Sequence, residues 1–387
     1  MREATVIAPV QRGIGISERY LSLDVLRGLT ICLMIIVNTP GSWGHIYAPF
    51  AHADWHGFTP TDLVFPTFLF VVGNAMSFSM KNSMQIGGGF FLRKVLKRTL
   101  MIFLIGLFLN AFPFVDINAA GDYVLINLSE LRIMGVLQRI ALCYLLASLI
   151  IYYFGKKGLI IYSLLALLGY WGILWFLGDP EAPYSMLGNA GHHLDLIIIG
   201  PQNLYGGEGV PFDPEGLLST LPAVVNVLMG YMAGIFIQKW GNNLKTIKVL
   251  LIVGLIFIGL SLVWDLGFPI NKKIWTSSFV LLTVGLDLIL IGILMLVIEV
   301  WLLKKWTYFF EVFGRNPLVL YMLSLMLISL FWAIPVGGDT LNQWLYQNLF
   351  LSWLPDKSAS LGFALTYMIL IWLIGWWMDR KKVYVKV

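Results

Sequence analysis

Charged residues are scarce in this chain, and their scarcity excludes the commonest class of protein. Only 12% of the 387 residues are Asp, Glu, Lys or Arg, whereas 58% are hydrophobic, and the mean hydropathy is +0.80. A soluble globular domain carries about 25% charged residues and about 45–50% apolar ones. The composition therefore excludes an ordinary soluble domain and predicts a protein embedded in a lipid bilayer.

Cysteine is also scarce, which excludes a disulfide framework. Cys32 and Cys143 are the two in the chain, and both lie in apolar segments without the neighbouring ligands of a metal site. We therefore expect no bound metal. The net charge of +5 does not indicate a nucleic-acid partner, because the basic residues fall between apolar segments, where membrane topology accounts for them.

Long apolar segments are what the chain has in abundance. A bilayer core about 30 Å thick needs about 20 apolar residues in a helix. Such segments predict an all-α bundle of ten transmembrane helices, over residues 21–40, 61–80, 98–114, 133–154, 158–178, 217–238, 247–266, 275–303, 314–334 and 359–378. The first resembles a signal-peptide core in length, but Asp24 and Arg27 lie one turn apart, where they can pair, so we expect a retained helix.

The distribution of basic residues predicts the orientation of the bundle. With ten helices and a cytoplasmic N-terminus, every cytoplasmic loop contains Lys or Arg, and acidic residues collect on the opposite side. We therefore expect both termini in the cytoplasm, with a flexible segment at 1–18. The long loops 41–60 and 179–216 then face outward, and their Gly- and Pro-rich composition predicts irregular, functional segments. Residues 1–387 are interpreted as one transmembrane domain.

Ionisable residues within the predicted helices are costly in lipid and are therefore candidates for function. They are Asp24, Arg27, Asp62, Arg132, Arg139, Asp265, Asp287 and Arg315. Those near helix ends can instead extend to water. Arg139 lies deeper and needs a partner or a water-filled cavity. An ion pair with Asp287 that only fastens two helices is the structural alternative.

The segment from Asn38 to Pro66 concentrates polar groups in a loop between two predicted helices. It contains three histidines, His45, His52 and His56, and imidazole is the side chain best suited to act as a base or nucleophile near neutral pH. Each histidine could equally be an interfacial residue with a satisfied hydrogen bond. A metal site at His52 and His56 is disfavoured, because neither a helix nor a third ligand is indicated.

Five ordered blocks lie between about residues 19 and 378. The opening block comprises Arg19-Tyr-Leu-Ser-Leu-Asp24-Val-Leu-Arg27-Gly28, Val37-Asn38, His52-Ala-Asp-Trp55-His-Gly57 and Asp62-Leu-Val-Phe65-Pro66; the others are Leu131-Arg132-Ile-Met-Gly135-Val-Leu-Gln138-Arg139, Phe212-Asp213-Pro214-Glu215-Gly216, Asn271-Lys272-Lys-Ile-Trp275 and Gly314-Arg315-Asn316-Pro317. Together these blocks resemble the heparan-α-glucosaminide N-acetyltransferase family and its bacterial relatives.

The resemblance implies a transmembrane acetyltransferase of the bacterial inner membrane. Acetyl-CoA would be supplied on the cytoplasmic side, and an amino sugar, such as glucosamine or a glucosaminide, would be acetylated in the periplasm. His52 matches the family's active-site histidine, and Asn38 matches an asparagine beside it. Lysosomal members have a further N-terminal helix and luminal region that the blocks do not include, which puts heparan sulfate in doubt as the acceptor.

The expected chemistry assigns a role to each candidate residue. His52 acts as general base or as acetyl carrier, Asn38 donates to the oxyanion, and Asp62, or else Asp54, orients the imidazole. Cations reached from the cytoplasm would hold the CoA phosphates. The residues expected at CoA are Arg27, Arg139, Arg315 and Gln138, and those expected at the acceptor are Asp54, Trp55, Arg132 and Asn271.

Two other functions fit the same sequence features. An amino-sugar transporter also uses broken helices and buried charges. An acyltransferase acting on another periplasmic glycan would need much the same site. A homodimer is left open.

Overall fold

The computed structural model describes residues 20–117 and 122–385, which form a helical bundle. The predicted flexible segment 1–18 lies outside the described residues. The α-helices are α1 Leu21–Asn38, α2 Val64–Ile86, α3 Gly88–Ala111, α4 Val136–Leu177, α5 Ala190–Ile198, α6 Thr220–Trp240, α7 Leu244–Asp265, α8 Ser277–Met295, α9 Thr307–Arg315, α10 Pro317–Ala333, α11 Leu341–Tyr346 and α12 Asp356–Arg380.

Short elements occupy the connections between the helices. Two antiparallel hairpins pair β1 (Val115–Ile117) with β2 (Tyr123–Leu125) and β3 (Pro335–Val336) with β4 (Asp339–Thr340). Single 3₁₀ turns lie at Ala48–Phe50, Pro60–Leu63, Leu128–Glu130 and Pro201–Asn203, and π-helical turns follow α8 at Leu296–Val300 and α11 at Gln347–Leu351. The prediction of an all-α, multi-pass membrane protein is confirmed.

Every predicted span coincides with a helix, but the number that crosses the bilayer stays a prediction. By length and composition, seven helices of the described chain can span a membrane, or eight if the bent pair α9–α10 is one span. The 42-residue α4 covers two predicted spans and changes direction at Gly155, whose φ is 58°. α3 covers another, although its first half contains four basic residues, Arg93, Lys94, Lys97 and Arg98.

One expectation about the outer loops is wrong. Residues 179–216 are not irregular throughout, because α5 forms within them. Asn189 precedes α5 and its side chain accepts a hydrogen bond of 2.9 Å from the backbone N–H of His192. An asparagine at this position satisfies an N–H that the helix itself cannot pair, and therefore favours a helix start.

Contacts between loops define two ends of the bundle. Segments 41–60, 179–216 and 266–276 meet at what we call the outer end, where Trp55 Nε1 donates to the carbonyl of Tyr184 (2.9 Å) and Gly57 N to that of Ile270 (2.8 Å). At the opposite, inner end, Ser22 N donates to Glu299 and the Tyr308 hydroxyl to Asp379. The described start of α1 and end of α12 therefore both contact the segment around α9.

Glycines allow the central helices to approach closely. A Cβ on Gly230 of α6 would lie 1.9 Å from the carbonyl oxygen of Phe70 on α2, and one on Gly73 would lie 1.8 Å from that of Val227. Gly28 of α1 faces the carbonyl of Phe310 on α9 in the same way, at 1.8 Å. Small residues at such crossings let helix backbones touch, which stabilises helix pairs in membranes.

The α2–α6 contact predicts the effect of a single methyl group. Gly230→Ala should lower the free energy of unfolding by about 1–3 kcal/mol, because the helices must separate to admit the new Cβ. Gly259→Ala on α7 is the control: no atom lies within 4 Å of a Cβ there, and alanine is the better helix former. Thermal unfolding in detergent measures both variants. Equal melting temperatures would contradict the close packing of α2 on α6.

Candidate active site

The loop that contains His52 folds around the carboxylate of Asp62. Asp62 lies in the 3₁₀ turn before α2, and its side chain is 1% exposed. Its Oδ2 accepts hydrogen bonds from Ala53 N (3.2 Å), Thr59 N (3.0 Å) and Thr59 Oγ1 (3.1 Å). A buried carboxylate needs such donors, because burial of a charge without partners is costly. The loop backbone therefore holds Asp62 in one position.

The other oxygen of Asp62 is bound to the His52 ring. His52 Nδ1 lies 2.7 Å from Asp62 Oδ1. Because an ionised carboxylate only accepts hydrogen bonds, Nδ1 is the donor, and in the neutral ring Nε2 then carries the lone pair. The His52 side chain is 39% exposed, so part of the ring is open to a substrate. A carboxylate in this arrangement orients the ring and stabilises the imidazolium.

Lys272 completes the cluster. It belongs to the segment between α7 and α8, and its Nζ lies 3.0 Å from His52 Nδ1, 3.3 Å from His52 Nε2 and 3.5 Å from Asp62 Oδ1. Burial lowers the pKa of Lys272, and the charges of Asp62 and then Glu215 oppose that shift. No role for Lys272 was predicted from the sequence. Its position beside Asn271, a candidate within the same block, was the available signal.

Asn271 is buried and holds the Lys272 segment against the His52 loop. Its Oδ1 accepts a hydrogen bond from Ile274 N (3.0 Å), and its Nδ2 lies 3.4 Å from His56 Nδ1. The bond from Gly57 N to the Ile270 carbonyl joins the same two segments. Asn271 therefore positions Lys272. This role was not predicted from the sequence, from which Asn271 was expected at the acceptor.

A second cluster surrounds Arg132. Its Nε and Nη2 donate to the two carboxylate oxygens of Asp213 (2.9 and 2.7 Å), and Nη2 also donates to Glu215 (2.6 Å). The Tyr205 ring lies 4.4 Å from the guanidinium carbon. Both carboxylates belong to the block at 212–216. Arg132 thereby fastens this block to the segment that precedes α4.

Arg139 is fully buried and contacts the same block. Its Nη2 donates to the Gly216 carbonyl (2.9 Å) and to the Ser219 hydroxyl, and its guanidinium lies 5.0 Å from the centre of the Trp275 ring. Its Nε and Nη1 have no hydrogen-bond partner among the described residues.

The neighbouring Asp195 has a raised pKa. Burial, with the charge of Asp213, raises this pKa to about 6, although a hydrogen bond from Leu217 N opposes the shift.

Comparison with known proteins identifies the family. The model of the heparan-alpha-glucosaminide N-acetyltransferase catalytic region matches residues 19–245, which is more than half of the chain. The chain belongs to this family. The match includes His52, Asp62 and the blocks around Arg132 and Asp213, whereas Lys272 lies beyond it.

Two proteins of this family name show the extent of the similarity. The human heparan-alpha-glucosaminide N-acetyltransferase is 28% identical over an alignment that covers 96% of this chain and 60% of that protein. The mouse protein of the same name is also 28% identical, over 79% of this chain and 53% of its own length. The chain thus spans little more than half the length of the relatives it matches.

Three predicted residues of the family's opening block form no hydrogen bond with His52, Asp62 or Lys272 in the described chain. Asn38 ends α1 and is partly buried, but its side chain makes no hydrogen bond to the described residues. Asp54 is exposed and is not bound to His52, whose ring contacts Asp62 instead. Trp55 is bound to Tyr184 and packs against Phe212, at 5.7 Å between ring centres.

The residues expected at CoA are divided between the two ends of the bundle. At the inner end, Arg27 bonds to Asp24 and the Gly314 carbonyl, and Arg315 bonds to Glu311 and Asp379. Arg139 and Gln138 lie near the outer end of α4, where Gln138 packs beside Gly106. A single group of cations that binds the CoA phosphates at the inner end therefore cannot include Arg139.

The structural alternative of an ion pair between Arg139 and Asp287 is wrong. Asp287 is fully buried and accepts a hydrogen bond of 2.6 Å from the Thr67 hydroxyl, which joins α8 to α2. Arg139 instead contacts Gly216 and Ser219 on the segment that leads into α6. Within residues 20–117 and 122–385, no group of three His, Cys, Asp or Glu side chains is placed to hold a metal ion.

The Arg132 cluster predicts a loss of stability when its cation is removed. Arg132→Gln should lower the free energy of unfolding by about 1–3 kcal/mol, because Asp213 would stay buried without its charged partner. Arg93→Gln, at an exposed position of α3, is the control that removes a charge alone. Thermal unfolding in detergent compares the two. A melting temperature of Arg132→Gln equal to that of Arg93→Gln would argue against this role for the cluster.

Proposed function

We propose that the protein is a transmembrane acetyltransferase that moves an acetyl group from acetyl-CoA to the amine of glucosamine or a glucosaminide. The observation that carries this proposal is the cluster of His52, Asp62 and Lys272 at the outer end of a membrane bundle of this family. The acceptor would bind on the outer side, in the periplasm of a bacterium, and the chain would lie in its inner membrane.

His52 would manage the proton of the reacting amine. An amine that attacks the thioester carbonyl must lose a proton, and His52 Nε2 is open to accept it because Nδ1 is bound to Asp62. Asp62 then stabilises the imidazolium that forms. The same nitrogen can instead receive the acetyl group and pass it on, since imidazole is also a nucleophile. The two schemes require the same hydrogen bond between His52 and Asp62.

Asn38 is proposed to donate its amide to the oxyanion of the transition state. Its side chain makes no hydrogen bond to the described residues, so the amide is available to a ligand. Loss of one such donor typically raises the barrier by about 2.7–4 kcal/mol. The position of Asn38 at the outer end of α1 agrees with this role.

The CoA phosphates are proposed to bind near Arg27 and Arg315 at the inner end. The Nε of Arg315 has no partner in the described chain, so a phosphate that reached it would not have to displace the bonds to Glu311 and Asp379. Arg27 and Asn38 are eleven residues apart on α1, which corresponds to roughly 16 Å along the helix axis. The thioester would therefore have to pass through the bundle to reach His52.

His52→Ala should abolish acetyl transfer, because it removes the group that accepts the proton or the acetyl group. We expect a loss of at least about 10²-fold in turnover with acetyl-CoA and glucosamine, with CoA binding nearly unchanged. His45→Ala is the matched control, because His45 lies in the same loop but pairs with Asp356 at 3.5 Å. Chromatographic detection of N-acetylglucosamine measures turnover in proteoliposomes. Retention of activity by His52→Ala would refute the assignment.

The same assay separates the proposal from its rivals. A transporter would move radioactive glucosamine across the membrane without acetyl-CoA and without forming a product. An acyltransferase for another glycan would consume acetyl-CoA with a hydroxyl acceptor in place of the amine. Amine and hydroxyl acceptors should therefore be tested side by side, and only acetyl-CoA-dependent modification of the amine agrees with the proposal.

Asp62→Asn should lower kcat by about 10²- to 10⁴-fold, since the neutral amide cannot stabilise the imidazolium and can reverse the tautomer of His52. Asp356→Asn is the matched control, because it makes the same change in the exposed pair with His45. Steady-state kinetics of both variants, beside a melting temperature, distinguish a catalytic loss from unfolding. A kcat for Asp62→Asn equal to that of Asp356→Asn would show that this carboxylate does not act through His52.

A further inference from the structure

Lys272 places a primary amine next to the imidazole that the proposed reaction uses. Its Nζ is within 3.3 Å of both ring nitrogens of His52. These nitrogens share the carbon Cε1, and an atom in the ring plane at such distances from both would collide with that carbon. Nζ therefore lies over a face of the ring. Nucleophiles attack a planar carbonyl from above or below its plane, so this is a side from which an amine can reach an acyl group beside Nε2.

The environment of Lys272 favours a reactive fraction of its amine. The side chain is 20% exposed, and burial lowers its pKa, although Asp62 and Glu215 favour the charged form. Only the neutral amine is nucleophilic. Lys273, the next residue, has a similar exposure of 19%, but its Nζ donates to Glu208 at 2.6 Å. The two neighbouring lysines thus differ in whether they contact His52.

We propose that Lys272 is a site of self-acetylation, which the protein modifies when acetyl-CoA is bound and no amino sugar is present. The inference rests on the proposed function. The ammonium of Lys272 first loses a proton to water. Its nitrogen then attacks the thioester carbonyl, the C–N bond forms and the C–S bond breaks. His52 Nε2 takes the second proton and returns it to the departing CoA thiolate. The products are acetyl-Lys272, CoA and one proton.

Acetylation of Lys272 would stop turnover. The amide carries no charge, so the interaction of the ammonium with Asp62 would be lost. The acetyl group would also lie over the His52 ring, where the acceptor amine must approach. An acceptor that occupies the site would prevent the reaction by taking the acetyl group first. The amino sugar would therefore protect the protein against its own co-substrate.

The test uses the full chain in detergent, incubated with acetyl-CoA, with or without glucosamine. Peptide mass spectrometry measures acetylation at Lys272 and Lys273 in the same digest. We expect acetyl-Lys272 to accumulate without glucosamine and to be suppressed with it, while Lys273 stays unmodified. Treatment with hydroxylamine removes an acetyl group from imidazole but leaves the lysine amide, so it separates this product from an acetyl-His52 relay.

Variants show whether the site itself performs the reaction. His52→Ala should lower the rate of Lys272 acetylation by about 10²-fold or more, the usual contribution of a general base. Lys272→Arg should remove the modification, and Lys273→Arg should leave it in place. Equal acetylation of the two lysines, or acetylation unchanged in His52→Ala, would indicate uncatalysed chemistry and would overturn the inference.

Acceptor turnover, measured in the same samples, distinguishes failure of this inference from failure of the proposed function. N-acetylglucosamine formation in the samples with glucosamine, together with unmodified Lys272 in the samples without it, would overturn the inference alone. Acetylation of neither glucosamine nor Lys272 would overturn both. Acetylation of Lys272 without any product from glucosamine would support the inference and require a different acceptor.

Discussion

The hydrogen bond between Asp62 and His52 is the interaction on which the proposed site depends. A carboxylate that is 1% exposed is costly unless its oxygens are satisfied. Here one oxygen is held by Ala53 and Thr59, and the other faces His52 and Lys272. The carboxylate of Asp62 therefore both stabilises the loop and orients the imidazole. A change that releases Asp62 would disorder the loop and the ring together.

The close packing of the helices supports this arrangement at a distance. Asp62 lies directly before α2, and α2 is fixed against α6 by Gly73 and Gly230. α8 follows the Lys272 segment and is joined to α2 by the bond between Thr67 and Asp287. Asp62 and Lys272 therefore lie beside the ends of two helices that are bonded to each other. Although the two residues are about 210 residues apart in the chain, their positions do not depend on flexible loops.

The helices and part of the site could be predicted because both depend on local sequence. Apolar length indicates a transmembrane helix wherever it occurs, and His52 and Asp62 lie ten residues apart in one polar segment. Lys272 could not be found in this way, because only the folded chain brings it to His52. A pair between Arg139 and Asp287 was an alternative based on charge alone; Arg139 instead donates to Gly216 and Ser219 in the segment before α6, and Asp287 accepts from Thr67 of α2.

The position of Arg139 limits how an acetyl group can cross the bundle. A buried guanidinium with two nitrogens that lack hydrogen-bond partners, Nε and Nη1, is costly unless a ligand or water binds them. Its neighbour Gly216 belongs to the block whose carboxylates bind Arg132. Its other neighbour, Trp275, follows Lys272 in the segment before α8. In the proposed orientation the inner end faces the cytoplasm, and Arg27 and Arg315 at that end are the cations proposed to hold the CoA phosphates. If the phosphates stay there, only the neutral, thioester end of the co-substrate must enter the apolar interior, which avoids the cost of burying a polyanion near His52.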